Sequence, residues 1–215
     1  MQIFPSIICS DILNLQKTLQ TLDSVCDGYH IDVMDDHFVP NLTIGPDFVN
    51  AITRKTALPS HVHLMVDNPK NWCDRLNLKK IDTLTFHIEA VSSYDELLDL
   101  VDKIRNKGWK KGLALNPNTP PPEYPVLQCF DQIIIMSVNP GFSGQKFIPE
   151  VVEKIKNLVN IKKRYFSDLQ IAVDGGIDKQ NMKMLIDLGV DVFCVGSAVF
   201  AAQDPRQALE ELYNL

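Results

Sequence analysis

The segments TLTFHI (Thr83–Ile88), YDELLDLVDKIRNK (Tyr94–Lys107) and KGLAL (Lys111–Leu115) follow one another with two changes of apolar period. The outer two are short runs of apolar and β-branched residues, the habit of strands. The middle one spaces Leu97, Leu100, Val101 and Ile104 at i, i+3, i+4 and i+7, one stripe of an amphipathic helix. Strand, helix, strand with no hairpin turn between them is a βα unit with parallel strands. Working outward, the alternation recurs about every 25 residues. Strands are predicted at Ile3–Ile8, Tyr29–Met34, His61–Val66, Thr83–Ile88, Lys111–Leu115, Gln132–Met136, Leu169–Asp174 and Val192–Val195. Helices are predicted at Asp11–Cys26, Pro46–Lys55, Pro69–Leu78, Tyr94–Lys107, Pro121–Cys129, Pro149–Arg164, Lys179–Leu188 and Pro205–Tyr213, several opening on Pro or an acidic residue. Eight such pairs, with no Asn-Gly or Asp-Gly hairpin between strands, predict an α/β fold: a single-domain (βα)8, or TIM, barrel over residues 1–215.

Composition narrows the function. Hydrophobic residues make up 45% of the chain and charged ones 22%, ordinary for a globular fold and unlike a disordered or fibrous protein. With 21 basic and 27 acidic side chains the net charge is −6, and no basic run exceeds Lys162-Lys163-Arg164, so nucleic acid is not an expected partner. MQIFPSIICSDIL at the N-terminus has no basic region before its short apolar stretch, and apolar runs elsewhere soon meet a charge or Pro. Neither a signal peptide nor a membrane span is expected. The five cysteines, odd in number and without a CxxC motif, read as reduced thiols in a cytoplasmic protein. A homo-oligomer is compatible with all of this.

In a barrel of this type, active-site groups come from the C-terminal ends of the strands. Those ends are polar here: Ser6, His30 and Asp32, His63, His87, Asn116, Ser137 and Asn139, and Asp174. His30 and Asp32, two apart on one strand, share a face, while Tyr29, Ile31 and Val33 supply the other. Burying imidazoles and carboxylates without partners costs several kcal/mol, about as much as a lost buried ion pair. With His63 and Asp174 they would form an N2O2 ligand set for one divalent ion, Zn, Fe, Mn or Co. His61 lies on the same face but deeper and reads as structural, and His37 and His87 as loop or supporting residues. Gly175-Gly176 and Gly196-Ser197, each ahead of a helical segment, offer backbone N–H groups to an anion such as a phosphate. The loop Asn139–Phe147, with Gly141 and Gly144, could close over them. Met34, Met65 and Met136 would form an apolar wall.

The strings FPSI (Phe4–Ile7), HIDVMD with HFVPN (His30–Asn41), VHLMV (Val62–Val66), LNPNTP (Leu115–Pro120), MSVNPGFSGQKFIP (Met136–Pro149), VDGGI (Val173–Ile177) and VFCVGSAVF (Val192–Phe200) resemble the ribulose-phosphate 3-epimerase family from Phe4 to about Pro205. The resemblance implies a (βα)8 barrel that interconverts D-ribulose 5-phosphate and D-xylulose 5-phosphate through a 2,3-enediolate, with one divalent metal. It assigns His30, Asp32, His63 and Asp174 as ligands, Asp32 and Asp174 doubling as the acid/base pair. Substrate contacts fall to Ser6 and His63, and phosphate contacts to Gly141, Phe142, Ser143 and Gly144, to Gly175 and Gly176, and to Gly196 and Ser197.

Two positions depart from the family pattern: Asp36 stands where Gly is typical and Ala172 where Glu is frequent. The first bears on the turn after strand two, since Gly tolerates positive φ better than Asp. An allulose 6-phosphate 3-epimerase, sharing every motif, and a non-catalytic sugar-phosphate-binding barrel are the alternatives. The second would have lost a ligand or base, and all four are present. Decarboxylases and aldolases of similar barrels carry DxKxxD, whereas this chain has Met34 at the Lys position.

Overall fold

The computed structural model describes all residues, 1–215. Eight strands form one sheet: β1 (Gln2–Pro5), β2 (Tyr29–Met34), β3 (Ser60–Met65), β4 (Thr83–His87), β5 (Lys110–Leu115), β6 (Gln132–Met136), β7 (Gln170–Asp174) and β8 (Val192–Val195). All pairings are parallel, in the order β1-β8-β7-β6-β5-β4-β3-β2. A bridge between Ser6 and His30 links the two ends of that order, so the predicted barrel is nearly closed. The helices are α1 (Leu15–Leu22), α2 (Pro46–Lys55), α3 (Pro69–Cys73), α4 (Tyr94–Asn106), α5 (Tyr124–Leu127), α6 (Val151–Tyr165), α7 (Lys179–Leu188), α8 (Ser197–Phe200) and α9 (Pro205–Tyr213). None is long and apolar enough to cross a membrane.

Each strand sends alternate residues to opposite faces. Tyr29, Ile31 and Val33 of β2, Val62 and Leu64 of β3 and Leu84 and Phe86 of β4 pack outward with the helices' apolar stripes into the main core. The inner face is divided. Phe4, Ala114, Ile134, Met136, Val138, Ala172 and Val192 make an apolar half. On β2 to β4 the inner residues are His30, Asp32, His61, His63, Thr83, Thr85 and His87, all buried. Register pairs His30 with His61 and Asp32 with His63, which sets the polar half in two layers.

Several segments are shorter than predicted. β1 ends at Pro5 rather than Ile8, because the chain turns at Ser6 into a 3-10 turn, Ile7–Cys9. The first helix starts at Leu15 rather than Asp11, whose side chain instead caps a separate turn, Ile12–Asn14. α3 stops at Cys73 rather than Leu78, and α5 is one turn rather than Pro121–Cys129. Pro120, Pro121 and Pro122 push their preceding residues out of the helical region there. The short apolar stretch after Gly196 is itself one helical turn, α8.

Close packing between β4 and β5 requires Gly112. A Cβ there would lie 2.1 Å from Thr85 Oγ1 and 2.9 Å from Thr85 Cβ. Gly112→Ala is therefore expected to destabilise the barrel by about 1–3 kcal/mol by overpacking. Thr85→Ala in the same chain should recover part of the loss; urea denaturation of the single and double variants checks this.

Candidate active site

β2 delivers His30 and Asp32, β3 delivers His63 beside Asp32, and β7 delivers Asp174 from across the barrel. His30 Nε2 lies 3.0 Å from Asp32 Oδ1 and 3.4 Å from Asp174 Oδ2. His63 Nδ1 lies 3.3 Å from Asp32 Oδ1 and 3.5 Å from Asp174 Oδ2, and 3.3 Å from His30 Nε2. All four donor atoms fall within 4.8 Å of one another, and all four residues are buried. The predicted quartet is thus brought together by three strands. Two nitrogens and two carboxylate oxygens converging in a buried spot fit a divalent cation, which would relieve the like-charge crowding.

Burial opposes charge on Asp32, but His30 and His63 overcome it and hold the carboxyl below its usual range. Asp174 is also lowered: burial and the Asp32 charge work against ionisation, and the same two imidazoles outweigh them. Burial disfavours a charged His30, yet Cys194 and both carboxylates raise its pKa well above the ordinary imidazole value. His63 is raised by the two aspartates against the same burial penalty.

The other histidines separate as expected. His61 stacks on Phe4, ring centroids 3.9 Å apart, and burial pushes it well below the usual range. His37 is exposed, its Nδ1 2.7 Å from the Asp35 carbonyl in its own loop. His87 is not in a loop but at the end of β4, fully buried, with Nε2 2.9 Å from His63 Nε2. Burial lowers it to about 4.

Above the quartet lies a cleft open to solvent. Ser6, Met34, Met65 and Met136 line it with Gly141, Phe142, Ser143, Gly144, Asp174, Gly175, Gly176, Gly196 and Ser197, whereas His63, also predicted as a substrate contact, is fully buried behind its wall and does not line it. Ser6 donates its hydroxyl to Asp32 Oδ2 at 2.6 Å.

The glycine positions need one correction. Gly175 and Gly176 do not sit at the N-terminus of α7, because Asp178 caps that helix and accepts its first free N–H groups, from Gln180 and Asn181. Instead the two glycines adopt φ of 109° and 62° in the loop ahead of it, and their own N–H groups bond to nothing within the chain. The N–H groups of Gly196 and Ser197 are likewise free. The Asn139–Phe147 loop is tethered as well. Asn41 Nδ2 donates to the Gly141 carbonyl at 2.6 Å, and Gln145 Nε2 to those of Asn139 and Phe142. Its tip, Phe142–Gly144, is exposed, while Gly141 is buried.

Sequence reasoning missed Asn41, Thr43, Gln145, Glu89 and Cys194. Thr43 holds the end of β2, accepting from Met34 N–H and donating to the Asp32 carbonyl, both at 2.9 Å. These residues act from loops or neighbouring strands, without a periodic pattern to mark them.

Fold and site together define a (βα)8-barrel enzyme with paired carboxylates and imidazoles at the C-terminal mouth of the strands. A family model described as the ribulose-phosphate 3 epimerase family matches residues 2–200. Ribulose-phosphate 3-epimerase of Mycobacterium bovis is 38% identical over 211 residues, 98% of this chain and 90% of that one. The Bacillus subtilis protein of the same name is 37% identical over 215 residues, 99% and 98% of the two chains. Among solved structures, 3-hexulose-6-phosphate synthase from Salmonella typhimurium superimposes with a TM-score of 0.65 at 18% identity, covering 100% of this chain and 97% of that one, a likeness of fold. The chain belongs to the ribulose-phosphate 3-epimerase family.

The departure at Asp36 has a structural outcome. Asp36 adopts φ of 60°, the only positive value at a non-glycine residue, so the turn keeps a conformation better suited to Gly. Asp36→Gly is expected to stabilise the protein by about 1 kcal/mol. A rise in melting temperature would bear this out; a fall would show that the Asp side chain holds the turn.

Proposed function

We propose that this protein interconverts D-ribulose 5-phosphate and D-xylulose 5-phosphate, with Asp32 and Asp174 as the acid/base pair and His30, Asp32, His63 and Asp174 holding one divalent ion. One observation carries the reading: two buried carboxylates, from strands on different sides of the barrel, meet at the same two imidazoles and face one cleft. Epimerisation at C3 needs such a pair. One carboxylate takes the C3 proton from one face, the bonding electrons moving toward the C2 carbonyl to give the enediolate, and the other returns a proton to the opposite face. Bound there, the ion would supply a Lewis acid for the C2 oxygen, worth several kcal/mol of barrier.

The residues differ in readiness. Asp32 has Oδ1 engaged by the imidazoles and Oδ2 by the Ser6 hydroxyl. Asp174 has Oδ2 turned to the imidazoles, while Oδ1 has no hydrogen-bond partner in the chain. Met34, Met65 and Met136 offer an apolar wall to a planar intermediate and keep water from it. With a net charge of −6 the protein has no long-range attraction for a sugar phosphate, so the free N–H groups of Gly175, Gly176, Gly196 and Ser197 are the proposed grip, closed by the Gly141–Gly144 tip. The five free cysteines suit a cytoplasmic setting.

Removing the ion with a chelator should abolish turnover, and adding back Zn²⁺, Fe²⁺, Mn²⁺ or Co²⁺ should restore it. Asp174→Asn that still carries its ion should lose at least about 10²-fold in epimerisation, while exchange of the C3 hydrogen with solvent through Asp32 can persist for one epimer. Near-native epimerisation by that variant, with metal content measured alongside, would sink the two-base assignment. Ribulose 5-phosphate and allulose 6-phosphate compared in the same assay test the five-carbon preference.

A carboxylate at the grip tests the phosphate site. Ser197 is exposed at the first position of α8, where an acidic residue suits the helix dipole and leaves the fold intact. Ser197→Asp should raise KM for ribulose 5-phosphate at least about tenfold, with little effect on metal content. An unchanged KM would place the phosphate elsewhere.

A further inference from the structure

We propose that His87 and Glu89 are positioning residues that fix the ring orientation and tautomer of His63 and so set how tightly the quartet holds its ion; the inference rests on the metal reading above. His63 presents Nδ1 to the two aspartates, so its Nε2 points away, and there it meets His87 Nε2 at 2.9 Å. The two rings are nearly parallel, 19° apart, with centroids separated by 4.9 Å.

Only one of two nitrogens so close can carry a hydrogen. A His63 that binds a cation through Nδ1 must be protonated at Nε2 and donate to His87, whose own hydrogen then sits on Nδ1. That atom lies 3.3 Å from Glu89 Oε2. Glu89 is pinned in turn, since its Oε1 accepts from the Asn116 N–H at 2.9 Å and from the Thr119 hydroxyl. Lys154 gathers the carbonyls of Asn116, Pro117 and Thr119 at 2.6, 2.8 and 2.7 Å, which holds that loop against α6. Every donor in this chain has one acceptor, and all the hydrogens point outward from the metal centre toward Glu89. Reversing the His63–His87 link would leave a bare His87 Nδ1 facing the Glu89 carboxylate, acceptor against acceptor. Carboxylate-backed imidazole ligands of this kind orient the ligand and raise its basicity.

The test compares Glu89→Gln, which keeps shape but can offer His87 an N–H, with His87→Leu, which removes the acceptor, and His87→Gln, whose amide oxygen can replace it. For each, the Co²⁺ dissociation constant is measured by competition with a chelator, together with the visible spectrum of bound Co²⁺ and the melting temperature of the metal-free protein. Glu89→Gln and His87→Leu are expected to weaken Co²⁺ binding by about 10- to 100-fold and to shift its bands, with His87→Gln recovering most of the affinity. Affinity within about twofold of the unsubstituted protein and unchanged bands in both damaging variants would overturn the proposal. Weakened binding that His87→Gln does not recover, with a lower melting temperature of the metal-free protein, would assign His87 to packing instead and also overturn it. Should the unsubstituted protein hold no Co²⁺ that His30→Ala releases, the metal reading itself fails and this inference falls with it.

Discussion

Two carboxylates buried within 3.5 Å of the same imidazole nitrogens are the constraint on which this molecule is arranged. Such charges repel each other and resist removal from water unless positive charge is set among them. His30 and His63 supply part of that compensation, and a divalent ion would supply the rest. The arrangement persists because each carboxylate is carried on a strand whose opposite face is locked into the main apolar core. Asp32 cannot swing away without disturbing Ile31 and Val33, nor Asp174 without Val173, so the energy of core packing holds the charged groups at a separation they would not choose in water.

The division of the barrel interior follows from the same constraint. Imidazoles and hydroxyls occupy β2 to β4, and apolar residues fill the remaining half. His61 illustrates the economy of the deeper layer: stacked on Phe4 and kept neutral by burial, it fills volume beneath His30 while adding no positive charge there. At the upper layer Met34 and Met65 stand two residues beyond Asp32 and His63 on the same strands, and Met136 pairs in register with Asp174, so methionine side chains border the charged quartet at the mouth of the barrel. The proposed anion-binding end would need no cationic side chain. Backbone N–H groups left free by glycines in left-handed conformations are short-range donors that do not disturb the carboxylates below.

Much of this was legible in the chain itself. Local periodicity marked all eight strands and the longer helices, because the alternation in YHIDVM and the helical stripe of Tyr94–Lys107 reflect burial on one face of one element. His30, Asp32, His63 and Asp174 could be named as a group because the barrel's symmetry requires strand ends to converge. Segment ends were less legible: Asp11 reads equally as a helix start or as the cap of a separate turn, and only the packing of Leu15 onto the barrel decided between them.

What the sequence alone determined, then, was which residues face inward and at which end of the barrel, since both depend on periods of two and 3.6. The tertiary structure alone decided which inward groups touch: that Ser6 reaches Asp32, that Asp178 withdraws the α7 N-terminus from anion binding, and that His63 is backed by His87 and Glu89. These contacts join residues from different strands and loops, and no local period encodes a distance between elements that meet only when the barrel closes.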